Sequence, residues 1–201
     1  YRSEHDLVAR ISDWFLHDGA TAVEIGCSTG ALTRRLADWH RGLDARFIGI
    51  ETDADMVAVA RRKAEADPRV EFVVDDAVRA DLGRAALVTS YYTMQFIHPS
   101  RRQTMFDNIY AALDWGGAFI MFETVRGPDV RFQNILSTLY TDFKLDGGFS
   151  EVEITGKTRS LKGVLEPFTT QANLDFLERA GFKDTMVVWK ELCFEGFLAI
   201  K

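Results

Sequence analysis

Four short segments of this 201-residue chain place acids, glycines or aromatics where an apolar run stops. The first is Val23-Glu24-Ile25-Gly26-Cys27-Ser28-Thr29-Gly30. A glycine directly after a buried strand lets the backbone approach a ligand, and Gly30 permits tight passage into a helix whose free N–H groups face the same crevice. The Gly-x-x-x-Gly spacing departs from the pattern that suits a pyrophosphate, and Glu24 would repel a phosphate; the segment suits a nucleotide-like ligand with cationic groups and no phosphate. The second is Glu51, an acid placed to accept both hydroxyls of a ribose, although with Thr52 and Asp53 it also suits a helix cap. The third is Asp75-Asp76-Ala77, where a carboxylate can accept the exocyclic amine of adenine. The fourth, Ser90-Tyr91-Tyr92-Thr93-Met94-Gln95-Phe96, is aromatic where ordinary loops are polar, and aromatics at such an edge lie where ligands bind.

Positioning four such segments together takes a parallel sheet, whose strands all end on one side. The pattern supplies one: helix 3–17, strand 21–25, helix 31–39, strand 46–51, helix 54–66, strand 70–74, strand 87–92, helix 100–113 and strand 118–123. Such alternation predicts α/β architecture with helices on both faces of the sheet. Beyond Glu123 an aromatic-rich helix over 129–144 and the turn Asp146-Gly147-Gly148 read as a small helical lid or substrate lobe, spanning 125–168 of a single domain over 1–201. The chain then resumes with a helix over 170–180, the Gly181 cap, and runs 185–190 and 193–200 that read as an antiparallel hairpin edge. All four segments therefore fall at successive strand ends, in the order an adenosine ligand would require.

Composition bounds the partners. Hydrophobic residues make up 47% and charged residues 27%, which excludes a disordered or fibrous chain. A net charge of −6 argues against neutralising phosphates as the main task, so nucleic acid is an unlikely partner. Two cysteines, Cys27 and Cys193, build neither a disulfide scaffold nor a cysteine zinc site, and the four histidines show no ligand spacing, so no metal is expected. No apolar run reaches the roughly 20 residues of a membrane-spanning helix, and no secretory leader opens the sequence at Tyr1; a cytoplasmic location is the expectation.

In these motifs the chain resembles the class I S-adenosylmethionine-dependent methyltransferases: the Glu24-to-Gly30 turn, Glu51, Asp76 and the turn Leu113-Asp114-Trp115-Gly116-Gly117 match that superfamily in order. Within it the chain is most similar to the carboxy-S-adenosylmethionine synthases, relatives that take part in tRNA wobble-uridine modification. That similarity runs through Gly26-Cys27-Ser28, Thr93-Met94-Gln95-Phe96, Asp142-Phe143-Lys144, Ser150-Glu151-Val152-Glu153-Ile154, Ala180-Gly181-Phe182 and Leu198-Ala199-Ile200-Lys201. The resemblance implies a Rossmann-like seven-stranded sheet and S-adenosyl-L-methionine as cofactor, with S-adenosyl-L-homocysteine as product. It implies that Tyr1 contacts the cofactor, that Glu24 and Gly26 lie beside its methionine part, that Glu51 holds the ribose, and that Asp76 with Ala77 holds the adenine. Cys27, Ser28, Gly30, Thr52, Met56, Asp75 and Tyr91 complete the expected cofactor set. Two departures matter. The synthases carry a Lys-Arg-Ser run whose arginine binds the cofactor's extra carboxylate, whereas this chain has Lys157-Thr158-Arg159-Ser160; and Tyr91 stands where the family has asparagine.

The resulting expectation is a methyltransferase acting on a small, carboxylate-bearing metabolite such as an amino acid or oxo acid, at carbon, nitrogen or oxygen. A sulfonium is a good methyl donor, so the protein must chiefly align a nucleophile and exclude water. Tyr91, His98, Glu123 and Tyr140 are the candidate bases, and Arg126, Arg131 and Arg159 the candidate partners of a substrate carboxylate. One alternative is a carboxy-S-adenosylmethionine synthase drawing on prephenate, with Arg159 in the arginine's role. The other is a catalytically silent cofactor-binding partner subunit. A homodimer pairing through helix 129–144 is the expected assembly.

Overall fold

The computed structural model describes residues 2–201, so Tyr1 and its expected cofactor contact lie outside the described residues. In chain order the elements are α1 (Arg2–Ser12), β1 (Thr21–Ile25), α2 (Ala31–Trp39), β2 (Arg46–Glu51), α3 (Ala54–Ala64), β3 (Val70–Val74), β4 (Ala85–Tyr91), a 3-10 turn (Met94–Phe96), α4 (Pro99–Ala112), β5 (Leu113–Thr124), α5 (Val130–Asp146), α6 (Glu151–Ser160), α7 (Thr170–Ala180), β6 (Asp184–Glu191) and β7 (Phe194–Ile200). One seven-stranded sheet runs in the order β3-β2-β1-β4-β5-β7-β6. Strands β1 to β5 pair in parallel, and β7 is antiparallel to both β5 and β6. The expected Rossmann-like α/β sheet is the one observed. Its chain order reverses between β1 and β4, and connections leaving to opposite sides open a crevice at the carboxyl ends of those two strands.

Burial explains why the strands were legible. The central strand β4 is buried on both faces over Ala85 to Ser90, and its first four residues, Ala85 to Val88, read as a continuous apolar run. On one face Val23, Val88, Phe119 and Met121 pack against Phe106 and Ile109 of α4 and Leu177 of α7. On the other, Ala22, Phe47, Leu87 and Phe122 meet Val8 of α1 and Leu32 and Leu36 of α2. Edge strand β6 is mostly exposed and carries Asp184, Lys190 and Glu191, charges that discourage pairing with another chain.

Three elements differ from the sequence expectation, and the first is β5, which begins at Leu113 and not at 118. Helix α1 stops at Ser12, not residue 17: the Ser12 hydroxyl donates to the Ala9 carbonyl at 2.7 Å and meets His40 Nε2 at 2.8 Å, while the Trp14 N–H bonds only three residues back, to Ile11. The segment expected as a one-helix lid holds two helices. Helix α6 is launched by a capping box in which Ser150 N–H donates to Glu153 at 2.8 Å and Glu153 N–H donates to Ser150 Oγ at 3.3 Å. None of the seventeen residues of α5 is buried, and its Tyr140 ring touches Phe194 of β7 at 5.2 Å.

Gly30 joins the first strand-end turn to α2 at φ 71°, and a Cβ there would drive into the Phe72 ring and lie 3.2 Å from the Ala60 methyl. Gly30→Ala therefore combines left-handed strain with overpacking, and should cost roughly 2–4 kcal/mol in urea unfolding. A loss below about 0.5 kcal/mol would show that the turn relaxes without strain.

Candidate functional site

The carboxyl rim of the sheet is built from backbone N–H groups that carboxylates hold in place. Gly26 and Cys27 N–H both donate to the Ile50 carbonyl, at 2.8 and 3.1 Å, folding the glycine turn against β2. Glu51 at the end of β2 accepts from Ser28 N–H at 3.0 Å on one oxygen and from Thr52 N–H and Asp53 N–H at 2.7 and 3.1 Å on the other. Ser28 itself has φ 50°, a left-handed conformation that this bond secures, and its hydroxyl reaches Met56 Sδ at 3.4 Å. Next along the rim, Asp75 is exposed and accepts from Asp76 N–H at 2.7 Å. Asp76 is half-buried, accepts from Val78 N–H at 3.1 Å and pairs with Arg101 at 2.7 Å; that guanidinium holds its carboxyl below the usual range. Ala77 packs on the adjoining core.

Glu24 and Glu123 turn inward from this rim. Glu24 accepts both the N–H and the hydroxyl of Thr33 in α2, the N–H at 2.8 Å, so it anchors the helix behind the glycine turn rather than lining the crevice. Glu123 accepts from Met94 N–H at 2.9 Å and holds the 3-10 turn, a positioning task in place of the expected base. The same turn is tied by buried Arg102, which donates to the Ile97 and Gln95 carbonyls at 2.7 and 3.0 Å, and by Gln95, which accepts from Thr124 N–H at 3.1 Å. Burial pushes both Glu24 and Glu123 up to about 8. It also pushes the Cys27 thiol up, keeping it protonated.

The other expected residues separate. His98 is exposed and caps α4, its Nδ1 meeting Ser100 Oγ at 2.8 Å, which is a structural role in place of a base. Arg126 and Arg159 are exposed, and Arg131 is exposed and paired with Asp129 at 3.0 Å. Tyr140 is half-buried on α5, with Lys144 Nζ 3.8 Å from its ring centre. Tyr91 stands at the end of β4, as expected, and its hydroxyl donates to Glu4 of α1; the Tyr92 hydroxyl donates to the other oxygen of Glu4 at 3.0 Å.

Glu4 and Arg101 are the residues the sequence reading missed. Glu4, Val8 and Ser12 follow each other every fourth residue, and all three are buried. A polar residue in line with the apolar stripe of α1 was the signal that Glu4 faces inward. Arg101 carried no signal, because it stands 25 residues from the acid it pairs with. Among the described residues no group of three or more His, Cys, Asp or Glu side chains is arranged to hold a metal ion, and no helix is long and apolar enough to cross a membrane.

The raised carboxyls give a signed pH dependence. An unfolded glutamate releases its proton near 4.5, whereas folded Glu24 and Glu123 keep theirs to about 8. Their contribution to stability is therefore complete below pH 4.5 and is lost as pH rises through 8. Urea midpoints should fall between pH 5 and 8, and Glu123→Gln should flatten that fall; a profile as steep as wild type would assign the slope to other groups.

The chain is similar to known proteins in sequence and in fold. Residues 22–117 match the family described as "Methyltransferase domain". The chain is 34% identical to a carboxy-S-adenosyl-L-methionine synthase of Staphylococcus epidermidis, over 100% of this chain and 87% of that protein. It is 35% identical to the enzyme of the same name from Nautilia profundicola, over 100% of this chain and 86% of that one. Among solved structures, Haemonchus contortus phosphoethanolamine N-methyltransferase 2 in complex with S-adenosyl-L-methionine superposes with a TM-score of 0.71 at 16% identity, covering 98% of this chain and 52% of that one.

Proposed function

Since the chain belongs to the carboxy-S-adenosyl-L-methionine synthase family of methyltransferase-fold proteins, we propose that it binds S-adenosyl-L-methionine along the carboxyl rim and transfers the methyl group to a small molecule. The observation that carries this reading is the order of the rim: acceptors at the ends of β3 and β2, the glycine turn after β1, and paired tyrosines at the end of β4. The donor set fits. Asp75 or Asp76 can accept the adenine amine, Glu51 the ribose hydroxyls, and the glycine turn lets the backbone approach the chain that links ribose to amino acid. When bound, the sulfonium supplies an activated methyl group. The protein's residues then orient the acceptor and exclude water, and Tyr91 and Tyr140, the latter on the Phe194 ring that Tyr92 also meets, are the expected bases near this edge.

The carboxylate-bearing acceptor class rests on the residue type of Arg126, Arg131 and Arg159, all three exposed and Arg131 already paired with Asp129. Two relatives above 30% identity favour a second reading, carboxy-S-adenosyl-L-methionine synthesis with Arg159 facing the added carboxylate. Thr158 in the Lys157-Thr158-Arg159-Ser160 run and the exposure of Arg159 weigh against it. Both cysteines are buried and free, which fits a reducing cytoplasm.

Mass spectrometry of the small molecules released on denaturing the purified protein tests the reading. S-Adenosylmethionine or S-adenosylhomocysteine is the expected result, with Glu51→Ala lowering affinity for either by at least about tenfold in calorimetry. Release of the carboxylated cofactor would establish the second reading instead, and tight binding without turnover on a broad acceptor panel would indicate a silent subunit.

The assembly proposed with this function is a homodimer through α5. That helix leaves Phe132, Ile135, Leu139 and Phe143 between 44% and 55% exposed, spaced by three or four residues along one side, and a self-complementary stripe suits a two-fold partner. Light scattering should give twice the 22.7 kDa chain mass, and Phe132→Asp with Phe143→Asp should give the monomer. A wild-type monomer at micromolar concentration would discard the dimer.

A further inference from the structure

On α5 the half-buried residues Gln133, Leu136, Tyr140 and Lys144 follow one another by three or four positions and form the side of the helix that leans on the sheet. The exposed apolar stripe stands one residue away, about 100° round the helix. A lysine on the inner side needs a reason, because its ammonium gives up water there. Two ring contacts lead to it from the end of β4: Tyr92 meets Phe194 of β7 at 5.6 Å, and Phe194 meets Tyr140 edge to face at 5.2 Å. Lys144 Nζ stands 3.8 Å from the centre of the Tyr140 ring. The residue after Tyr92 is Thr93, whose side chain is seated directly on Gly26, so the row of rings begins beside the glycine turn and ends at the ammonium. On the hairpin side the ionisable neighbour of Lys144 is the Cys193 thiol, which burial keeps protonated. No hydrogen bond or ion pair joins Lys144 Nζ to a described residue, and burial without an anion beside it holds the ammonium below the ordinary lysine range.

We propose that Lys144 is the cation that receives the carboxylate of the acceptor at the outer end of the rim, a specificity-determining role that residue type alone suggested for Arg126, Arg131 and Arg159. The inference rests on the reading that S-adenosylmethionine binds along the rim. With adenine and ribose at the ends of β3 and β2, the sulfonium lies toward the end of β4, and an acceptor that meets it there comes up against Phe194 and Tyr140. An ammonium set on a ring face, half out of water, attracts an anion more strongly than an exposed guanidinium that already holds an aspartate, as Arg131 holds Asp129. The ammonium has three donors, and a carboxylate arriving there takes up donors that the described residues leave idle and offsets the charge that burial left unbalanced. The ring faces beside it favour an acceptor whose carboxylate is carried on a flat, apolar body.

Phenylacetate and phenylacetamide, alike in shape and different in charge, test this on the full chain loaded with S-adenosylhomocysteine. With the lysines dimethylated with carbon-13, which keeps their charge, the Lys144 resonance is assigned by its loss in Lys144→Arg. Phenylacetate should shift that resonance, and phenylacetamide should not. Lys144→Met, which keeps a stem over Tyr140, should weaken phenylacetate about tenfold in calorimetry and S-adenosylhomocysteine less than twofold. Lys144→Arg, which keeps the charge, should hold phenylacetate within about threefold of wild type. A lysine that served only to cover Tyr140 with its stem would show no charge-dependent shift and no loss in Lys144→Met. Phenylacetate that leaves the Lys144 resonance still, or that fails to bind protein holding S-adenosylhomocysteine, would overturn the proposal alone. Wild type that binds neither S-adenosylmethionine nor S-adenosylhomocysteine would overturn the cofactor reading and the proposal with it.

Discussion

Wherever a parallel strand stops and a helix begins, several N–H groups lose their partners at once, and the fold stands only if something accepts them. In this chain that task falls to carboxylates. Glu24 takes Thr33 N–H, Glu51 takes Ser28, Thr52 and Asp53 N–H, Asp53 caps α3, Asp76 takes Val78 N–H, and Glu123 takes Met94 N–H. The rim is acidic because its backbone needs acceptors, and a ligand that binds there must tolerate or use that acidity.

These caps fall into two groups with different electrostatics. Glu51 is half-buried and Asp75 exposed. Glu24 and Glu123 are sealed between sheet and helix, where desolvation outweighs the N–H bonds they accept and keeps the proton on. A neutral buried carboxyl costs less than an anion there, and it retains one donor and spare acceptor capacity. All four hold backbone N–H groups, but only half-buried Glu51 and exposed Asp75 keep surface within reach of a ligand. That division explains why an acid at a strand end is an ambiguous signal in sequence, since both kinds look alike until burial is known.

The parts of the fold that follow local periodicity were legible: the strands and helices up to Glu123, and the order of the rim segments. What depended on distant pairing was not. Tyr91 was visible as an aromatic at a strand end, but its partner Glu4 is set by how α1 lies across the sheet, and the ion pair of Asp76 by the first turn of α4. Helix α6 was missed because Gly156 and its evenly spread polar residues leave no apolar stripe, and the Ser150 to Glu153 capping box alone announces it. The arginines show the opposite case. Their residue type suited an anionic acceptor, while their positions on exposed helix and loop surfaces were invisible.

The oxygens of the rim also say which acids have room for a ligand. A carboxylate offers about four lone-pair positions. On Glu51, one oxygen accepts the Thr52 N–H, the Thr52 hydroxyl and the Asp53 N–H, whereas the other accepts Ser28 N–H alone. One ribose hydroxyl can therefore join the Ser28 side with no bond given up, and a second must displace the Thr52 hydroxyl, the one donor there that water can satisfy equally well. Asp76 has each oxygen engaged, one by Val78 N–H and the other by the Arg101 guanidinium. Asp75 holds a single N–H on one oxygen and is exposed on the rim. At the end of β3, Asp75 is therefore the acceptor with fewer bonds already made, beside Asp76, whose two oxygens Val78 N–H and the Arg101 guanidinium engage.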